Sequence, residues 1–342
     1  MAKIMTMEEA QPSEDEKILL EEHGLVRIPM DTPFSVPPVN SILVLGDRPS
    51  LIDAGMCYGD NFEHLKEVLS NYGYDIKDLA EVFLTHPHVD HIGLAGKLIQ
   101  SSSVKICTWE KGVHRYEQYM EFWHKDRASF LELLSRSDVK RILTDKIKKT
   151  PSHLDGVVER IKKVDRPFKS EEPLEMVGGR QVYPLHVPGH TPWCIAYWFP
   201  DTGVLVSGDA LLEYITANPL IYPDDAAPAG WQGIEVFRYS LERLLDLPIK
   251  LVVPGHGRAF SGYEMTIRRA LRQQLRRQER FLRRLETPLT AYELAVLSFG
   301  EEIVENSLFL VMSEVTRHME WLASKGMVEI EKGTLWRYKN AS

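Results

Sequence analysis

The chain has 342 residues, 44% of them hydrophobic and 26% charged, with a formal net charge of −8, the profile of a globular enzyme with one main domain plus an addition. No run of 18 apolar residues occurs, which excludes a membrane-spanning helix. Three widely separated cysteines, Cys57, Cys107 and Cys194, argue against a disulfide framework and for a reducing, cytoplasmic compartment.

Residues 1–22 are rich in Glu, lack the apolar centre of a signal peptide and are expected to form a flexible lead. Residues 26–54 alternate apolar segments with turns, as hairpin strands do. Residues 61–71 place Phe62, Leu65, Val68 and Leu69 on one helical face. The apolar run Glu81-Val82-Phe83-Leu84 then suits a buried strand, with Thr85 at its exit.

His86, His88, Asp90 and His91 follow within six residues. Three imidazoles and a carboxylate this close repel one another once protonated and gain little from burial. A divalent cation removes both objections, because neutral imidazole nitrogen and carboxylate oxygen are its preferred ligands. His86 and His88 point the same way if the backbone is extended. Asp90 is placed as the N-cap of a helix running to residue 99. The alternative, surface histidines beside a turn, leaves this density of ligand types without a cause.

From residue 109 to about 168 the pattern is helical and charged, with Trp109, Tyr116, Tyr119, Phe122, Trp123 and Phe130 gathered near its start. Such a segment either packs on the core or forms a lid that supplies an apolar pocket. A second strand set spans residues 181–206. Three apolar strands end in a glycine beside a candidate ligand, at Gly189-His190, Gly208-Asp209 and Gly255-His256. Glycine there lets the backbone turn sharply and approach a site closely.

Residues 211–225 read as a loop carrying Tyr214, Asn218 and Tyr222. Tyr214 is a candidate hydrogen-bond donor to a developing oxyanion, with closure of a core as the alternative. A helix is expected over residues 231–247. His186 is expected to be packed or hydrogen-bonded, and His114, His124, His153 and His318 to be solvated. Residues 267–285 hold eight arginines, with Ile267, Leu271, Leu275, Phe281, Leu282 and Leu285 at helical spacing, an amphipathic helix with a basic face. A helix over residues 313–325 and a hairpin-like pair over 326–338 complete a winged-helix-like tail.

On His86, His88, Asp90, His91, His190, Asp209 and His256, with Asp53 in Leu51-Ile52-Asp53-Ala54-Gly55, the chain resembles the metallo-β-lactamase superfamily. It is similar in general pattern to the glyoxalase II-like hydrolases. The resemblance covers about residues 25–262, and residues 109–170 match nothing obvious. It departs at His190-Thr191-Pro192-Trp193-Cys194, where small residues are usual, so the mouth of the site is expected to differ in shape. The tail resembles a module attached to some members, including those similar to the β-lactamase-like protein 2 group of ribonucleases.

The resemblance implies an α/β fold, a four-layer αββα sandwich of residues 23–262 with a helical insertion at 109–170 and a C-terminal winged-helix-like module at 263–342. It puts His86, His88 and His190 on one divalent metal and Asp90, His91 and His256 on a second. Asp209 bridges them, and Asp90 and Asp209 serve catalysis. Asp53 is expected to hydrogen-bond a ligand or a nearby loop, with a turn-forming role as the equal alternative. Zinc is the expected metal, with iron or manganese able to use the same ligands. A metal-bridging hydroxide would then hydrolyse an ester, thioester or lactone-type small substrate. The alternative is an endoribonuclease or phosphodiesterase that binds nucleic acid through the tail arginines. Those arginines could instead cover the acidic main domain or build a homodimer interface.

Overall fold

The computed structural model describes residues 5–149, 161–222 and 233–341. The expected flexible lead is folded from residue 7 onward. Met7–Ala10 and Glu14–Glu22 are helices capped by the Thr6 and Ser13 hydroxyls, and they bury Ala10 and Leu20. Glu16 bonds Arg27 at 2.6 and 3.1 Å, and Arg27 is itself buried. One of these lead acids thus neutralises a buried cation, which composition alone does not reveal.

The first sheet has six strands in spatial order: β1 Leu25–Met30, β2 Val39–Val44, β3 Ser50–Ile52, β4 Glu81–Phe83, β5 Lys105–Trp109 and β6 Arg166–Phe168. The first three pair antiparallel, the rest parallel. The second sheet, from edge to edge, is β11 Leu251–Pro254, β10 Val204–Gly208, β9 Ile195–Phe199, β8 Gln181–His186 and β7 Leu174–Glu175. β10 and β11 are parallel, so Asp209 and the segment leading to His256 leave the sheet at the same edge.

The strand period of two sorts side chains between layers. Ile42, Ile52, Phe83 and Cys107 meet Val182, Ile195, Tyr197, Val204 and Val253 between the sheets. Leu43, Leu51, Val82 and Ile106 turn outward onto Leu65 and Leu69 of helix Asn61–Asn71 and onto Leu98 of helix Ala95–Ser101. Leu205 and Val252 turn outward onto Phe237 and Leu241 of helix Gly233–Leu244 and Ile267 of helix Tyr263–Arg284. The result is the expected αββα order. Residues 231 and 232 of the helix expected there, residues 223–225 of the preceding loop, and His153 lie outside the described residues.

The insertion forms helices Val113–Glu117, Tyr119–Arg136 and Arg141–Lys149. Its last described residues return to the sandwich, Ile161 and Val164 packing beneath the first sheet and Phe168 between the sheets, whereas the two longer helices face elsewhere. Phe130, Leu133, Leu134 and Leu143 share one core with Phe281, Leu294, Met312, Val315 and Met319 of the tail. The tail continues with helices Ala291–Phe299, Glu301–Asn306 and Leu308–Ser324, then hairpin β12 Val328–Lys332 and β13 Trp336–Asn340. Helices followed by a hairpin is the order expected of the tail, but its core is continuous with the insertion. His318, expected to be solvated, is 2% exposed and stands edge-on to Phe281 at 5.7 Å. Among the described residues no helix is long and apolar enough to cross a membrane, and all three cysteines are free.

Candidate metal centre

The structure gathers all seven expected ligands at the sheet edge. The side-chain donor atoms fall into three groups, each within 4.8 Å: His86, His88 and His190; Asp90, His91 and His256; and His86, His91 and Asp209. His88 Nδ1 lies 2.9 Å from His86 Nε2 and 3.0 Å from His190 Nε2. His256 Nε2 lies 3.4 Å from Asp90 Oδ2. Asp209 stands between the groups, with Oδ1 3.5 Å from His91 Nε2 and Oδ2 3.5 and 3.6 Å from His190 and His256 Nε2. Gly255 is required by this approach, because a Cβ there would fall 2.3 Å from Asp209 Oδ1 and 2.9 Å from His91 Cε1.

Each histidine is oriented by a bond from its other nitrogen. His190 and His256 use Nδ1 toward the Asn218 and Pro37 carbonyl oxygens, both at 2.8 Å. A carbonyl only accepts, so these rings carry a proton on Nδ1 and turn Nε2 inward. Burial favours a bare Nε2 on His190, whereas Asp209 and Asp90 outweigh burial and raise the proton affinity of His256. His91 Nδ1 meets Asp53 Oδ2 at 2.7 Å. The Thr85 hydroxyl donates to the same carboxylate at 2.7 Å, and so accepts from His86 Nδ1 at 2.9 Å. His88 Nε2 lies 2.9 Å from the Tyr222 hydroxyl. Asp53 also accepts the Thr85 N–H at 2.8 Å, and it holds a left-handed backbone, φ 60°.

These donors fit a divalent cation. His86 and His190 aim lone pairs at His88 Nδ1, where a single proton cannot serve both well. His91 Nε2 and Asp209 Oδ1 are buried without a hydrogen-bond partner, a costly state that a cation between them removes. Burial, and then the neighbouring imidazoles, hold the proton affinities of His86 and His88 well below the ordinary histidine value. His190 is lowered by the same burial, only partly offset by Asp209. His91 goes the other way: burial pushes it down, but Asp53, Asp209 and Asp90 outweigh burial and lift it to about 10. Burial opposes the charge on Asp90 as well, yet His91 and His256 hold it well below the usual carboxylate range. The acidic half of the centre demands positive charge, and the histidine-rich half offers bare nitrogen.

Two sequence expectations fail here. Asp90 is not an N-cap: in helix Val89–Ile92 it lies within the first turn, His88 holds the cap position without a side-chain bond, and the Asp90 carboxylate faces His256. Tyr214 is 65% exposed, beside Glu213 rather than the metal groups. Tyr222, from the same loop, is the tyrosine that reaches a ligand. His186 is hydrogen-bonded as expected, to the Pro192 carbonyl at 2.9 Å, and packs on Trp109. His124 is exposed, whereas His114 is half-buried against Phe122 and Trp193.

Arg115 was not singled out by the sequence. It is buried, bonded to Asp126, and its guanidinium lies 4.3 Å from the Trp193 ring, 4.5 Å from Phe122 and 5.3 Å from Tyr222. The only signal was an arginine set among the aromatic residues at the start of the insertion. The first turns of the insertion therefore border the centre, while residues 130–147 serve the tail.

Comparison with known proteins agrees with this geometry. The family model for the metallo-beta-lactamase superfamily matches residues 35–256. A probable metallo-hydrolase of Bacillus subtilis, YqjP, is 30% identical over 303 residues, which is 88% of this chain and 92% of that protein. The crystal structure of the metallo-beta-lactamase family protein TTHA1429 from Thermus thermophilus superposes with a TM-score of 0.78 at 24% identity, over 93% of this chain and 99% of that one. A beta-lactamase domain protein from Burkholderia ambifaria gives the same TM-score at 23% identity, over 93% and 92%. Both superpositions extend past the sandwich, so the fold shared with them includes the tail. With its ligand groups at the sheet edge and a family match spanning most of the sandwich, the chain belongs to the metallo-β-lactamase superfamily.

Proposed function

We propose that the protein is a metallo-hydrolase that holds two divalent cations, His86, His88 and His190 binding one, Asp90, His91 and His256 the other, with Asp209 shared. One observation carries this reading: a buried carboxylate stands between two complete ligand groups, with one of its oxygens and one histidine nitrogen left without hydrogen-bond partners. A donor set of neutral imidazoles and carboxylates suits zinc, and also iron or manganese. Bound there, such cations supply positive charge for a developing oxyanion and water that is deprotonated near neutral pH.

The protein's own groups do the rest. Asp90 stays ionised, so its carboxylate is fit to hold a cation and to orient the attacking water by accepting a hydrogen bond from it. Tyr222 fixes the His88 ring, and Arg115 sets a fixed positive charge within an aromatic wall beside it. A wall of this kind favours a small acyl substrate, an ester, thioester or lactone, carrying an anionic or polar group.

A second reading has an observation of its own. Arg268, Arg269, Arg272 and Arg276 are exposed on helix Tyr263–Arg284, with no acidic partner among the described residues. A phosphodiester substrate could use such a face. One panel separates the readings: hydrolysis of a thioester, a lactone, a carboxylic ester and a short RNA by metal-loaded protein, its metal content measured by mass spectrometry. Asp209→Ala should lose most bound metal and at least about 100-fold in turnover, more than the loss of an outer-shell partner costs. Near-normal turnover in that variant overturns the scheme. RNA cleavage that disappears when the four arginines become Glu favours the second reading over the first.

A further inference from the structure

The loop that follows Asp209 reaches the centre through three bonds. The Asn218 carbonyl oxygen accepts from His190 Nδ1 at 2.8 Å, the Leu220 N–H donates to the His190 carbonyl at 3.1 Å, and the Tyr222 hydroxyl meets His88 Nε2 at 2.9 Å. Both rings belong to the His86, His88 and His190 group. None of these bonds reaches the Asp90, His91 and His256 group.

The opposite side of this loop is held by the tail. Arg317 Nε donates to the Leu220 carbonyl oxygen at 3.2 Å, and Asn218 Nδ2 to the Leu310 carbonyl oxygen at 3.5 Å. Both partners lie on helix Leu308–Ser324. Side chains alternate in the same sense: Leu220 and Tyr222 enter the core between the sheets, while Ile221 packs into the core of the tail. The Leu220 peptide is thus gripped from both ends, its N–H by a ligand residue and its C=O by Arg317. The Arg317 side chain is 11% exposed and is itself fixed by Glu320 at 2.8 Å, so its guanidinium is aimed before the loop arrives.

We infer that Arg317 is a positioning residue of the metal centre, acting through Leu220 to hold two of the three outer hydrogen bonds of the His86, His88 and His190 group, those of His88 and His190. The inference rests on the two-cation reading above. It gives the tail a role in the centre that does not depend on what the arginine face of helix Tyr263–Arg284 binds. Partners that orient a ligand typically govern about 10- to 100-fold in metal affinity.

The test is a competitive titration of the full chain with cobalt(II) against a chelator, following the visible absorption of the bound ion. Arg317→Met should weaken one of two binding steps by about 10-fold or more and leave the other within about twofold. Arg317→Lys, which keeps one donor, should recover part of the loss. Glu320→Gln, whose amide oxygen still accepts from Arg317 Nη1 and so keeps the guanidinium aimed at Leu220, should match the parent. Two unchanged steps in Arg317→Met overturn the inference while leaving the two-cation reading intact. An equal weakening of both steps together with a lowered melting temperature overturns it too, since that is general loosening. A parent chain that takes up no cobalt sinks the reading beneath and this inference with it.

Discussion

At the scale of single residues, Asp53 concentrates more of the centre than any one ligand does. Its carboxylate accepts from the His91 ring, the Thr85 hydroxyl and the Thr85 N–H, and through Thr85 it also sets His86. The two candidate ligand groups therefore share one orienting anion. Asp53→Asn removes that charge while keeping a residue type that tolerates φ near +60°. It should weaken metal binding about 10- to 100-fold in a chelator competition, and lower the melting temperature of the metal-free chain as well, because His91 loses its buried counter-charge. Unaltered affinity would show that the carboxylate is a turn former only. The seven candidate ligands were legible in the sequence because they stand in short motifs after strands. Arg115 and Tyr222 were not separable from their neighbours, since only burial distinguishes Tyr222, 6% exposed, from Tyr214, 65% exposed, within one loop.

Among the elements, legibility followed amphipathicity. Helix Asn61–Asn71 was bounded correctly because its buried Leu65 and Leu69 alternate with exposed polar residues. Helix Leu308–Ser324 begins five residues before its expected start. Its first turns read Leu308-Phe309-Leu310-Val311-Met312, apolar all round, so no period marks them. That run is apolar because it serves both the tail core and, through Leu310, the sandwich. The seam beneath it is polar. Arg277 forms an ion pair with Glu314, whose side chain is 6% exposed, and Arg238 bonds Gln274 at 3.0 Å and Gln278 at 2.8 Å. Burial, with Arg280 nearby, lowers the Arg277 proton affinity to about 10, which leaves it charged at neutral pH. Removing one partner of such a pair strands the other charge. Arg277→Met should therefore cost roughly 3 kcal/mol in urea unfolding, and adding Glu314→Gln should return part of it. A single variant as stable as the parent would mean that Glu314 finds water or another cation.

For the whole molecule, the αββα order was legible through the family motifs, but the joining of insertion and tail was not. Phe130 meets Phe309 at 4.9 Å and Arg136 stacks on Trp336 at 3.8 Å, contacts between segments far apart in the chain that no local period announces. Because that core is shared, acid sensitivity in the tail belongs to the fold as a whole. His318 is buried there, beside Arg277 and Arg238, and its Nδ1 lacks a hydrogen-bond partner. Burial, then Arg277 and Arg238, lowers its proton affinity from 6.5 to about 3. Between these values the unfolded chain binds a proton that the folded chain refuses, so acid favours unfolding. The contribution is fully present above about pH 6.5 and is lost progressively as pH falls toward about 3. At pH 5.0 the loss is about 2 kcal/mol, taking 1.36 kcal/mol per pH unit. His318→Gln removes the titrating ring and leaves every other histidine in place. The fall in unfolding free energy from pH 7.5 to pH 5.0, measured on metal-free protein, should then be about 2 kcal/mol smaller in the variant. The candidate ligand histidines are unchanged between the two chains and cancel in that difference. Equal acid sensitivity in the two would place the titrating group elsewhere and show that the tail core admits a charged imidazole.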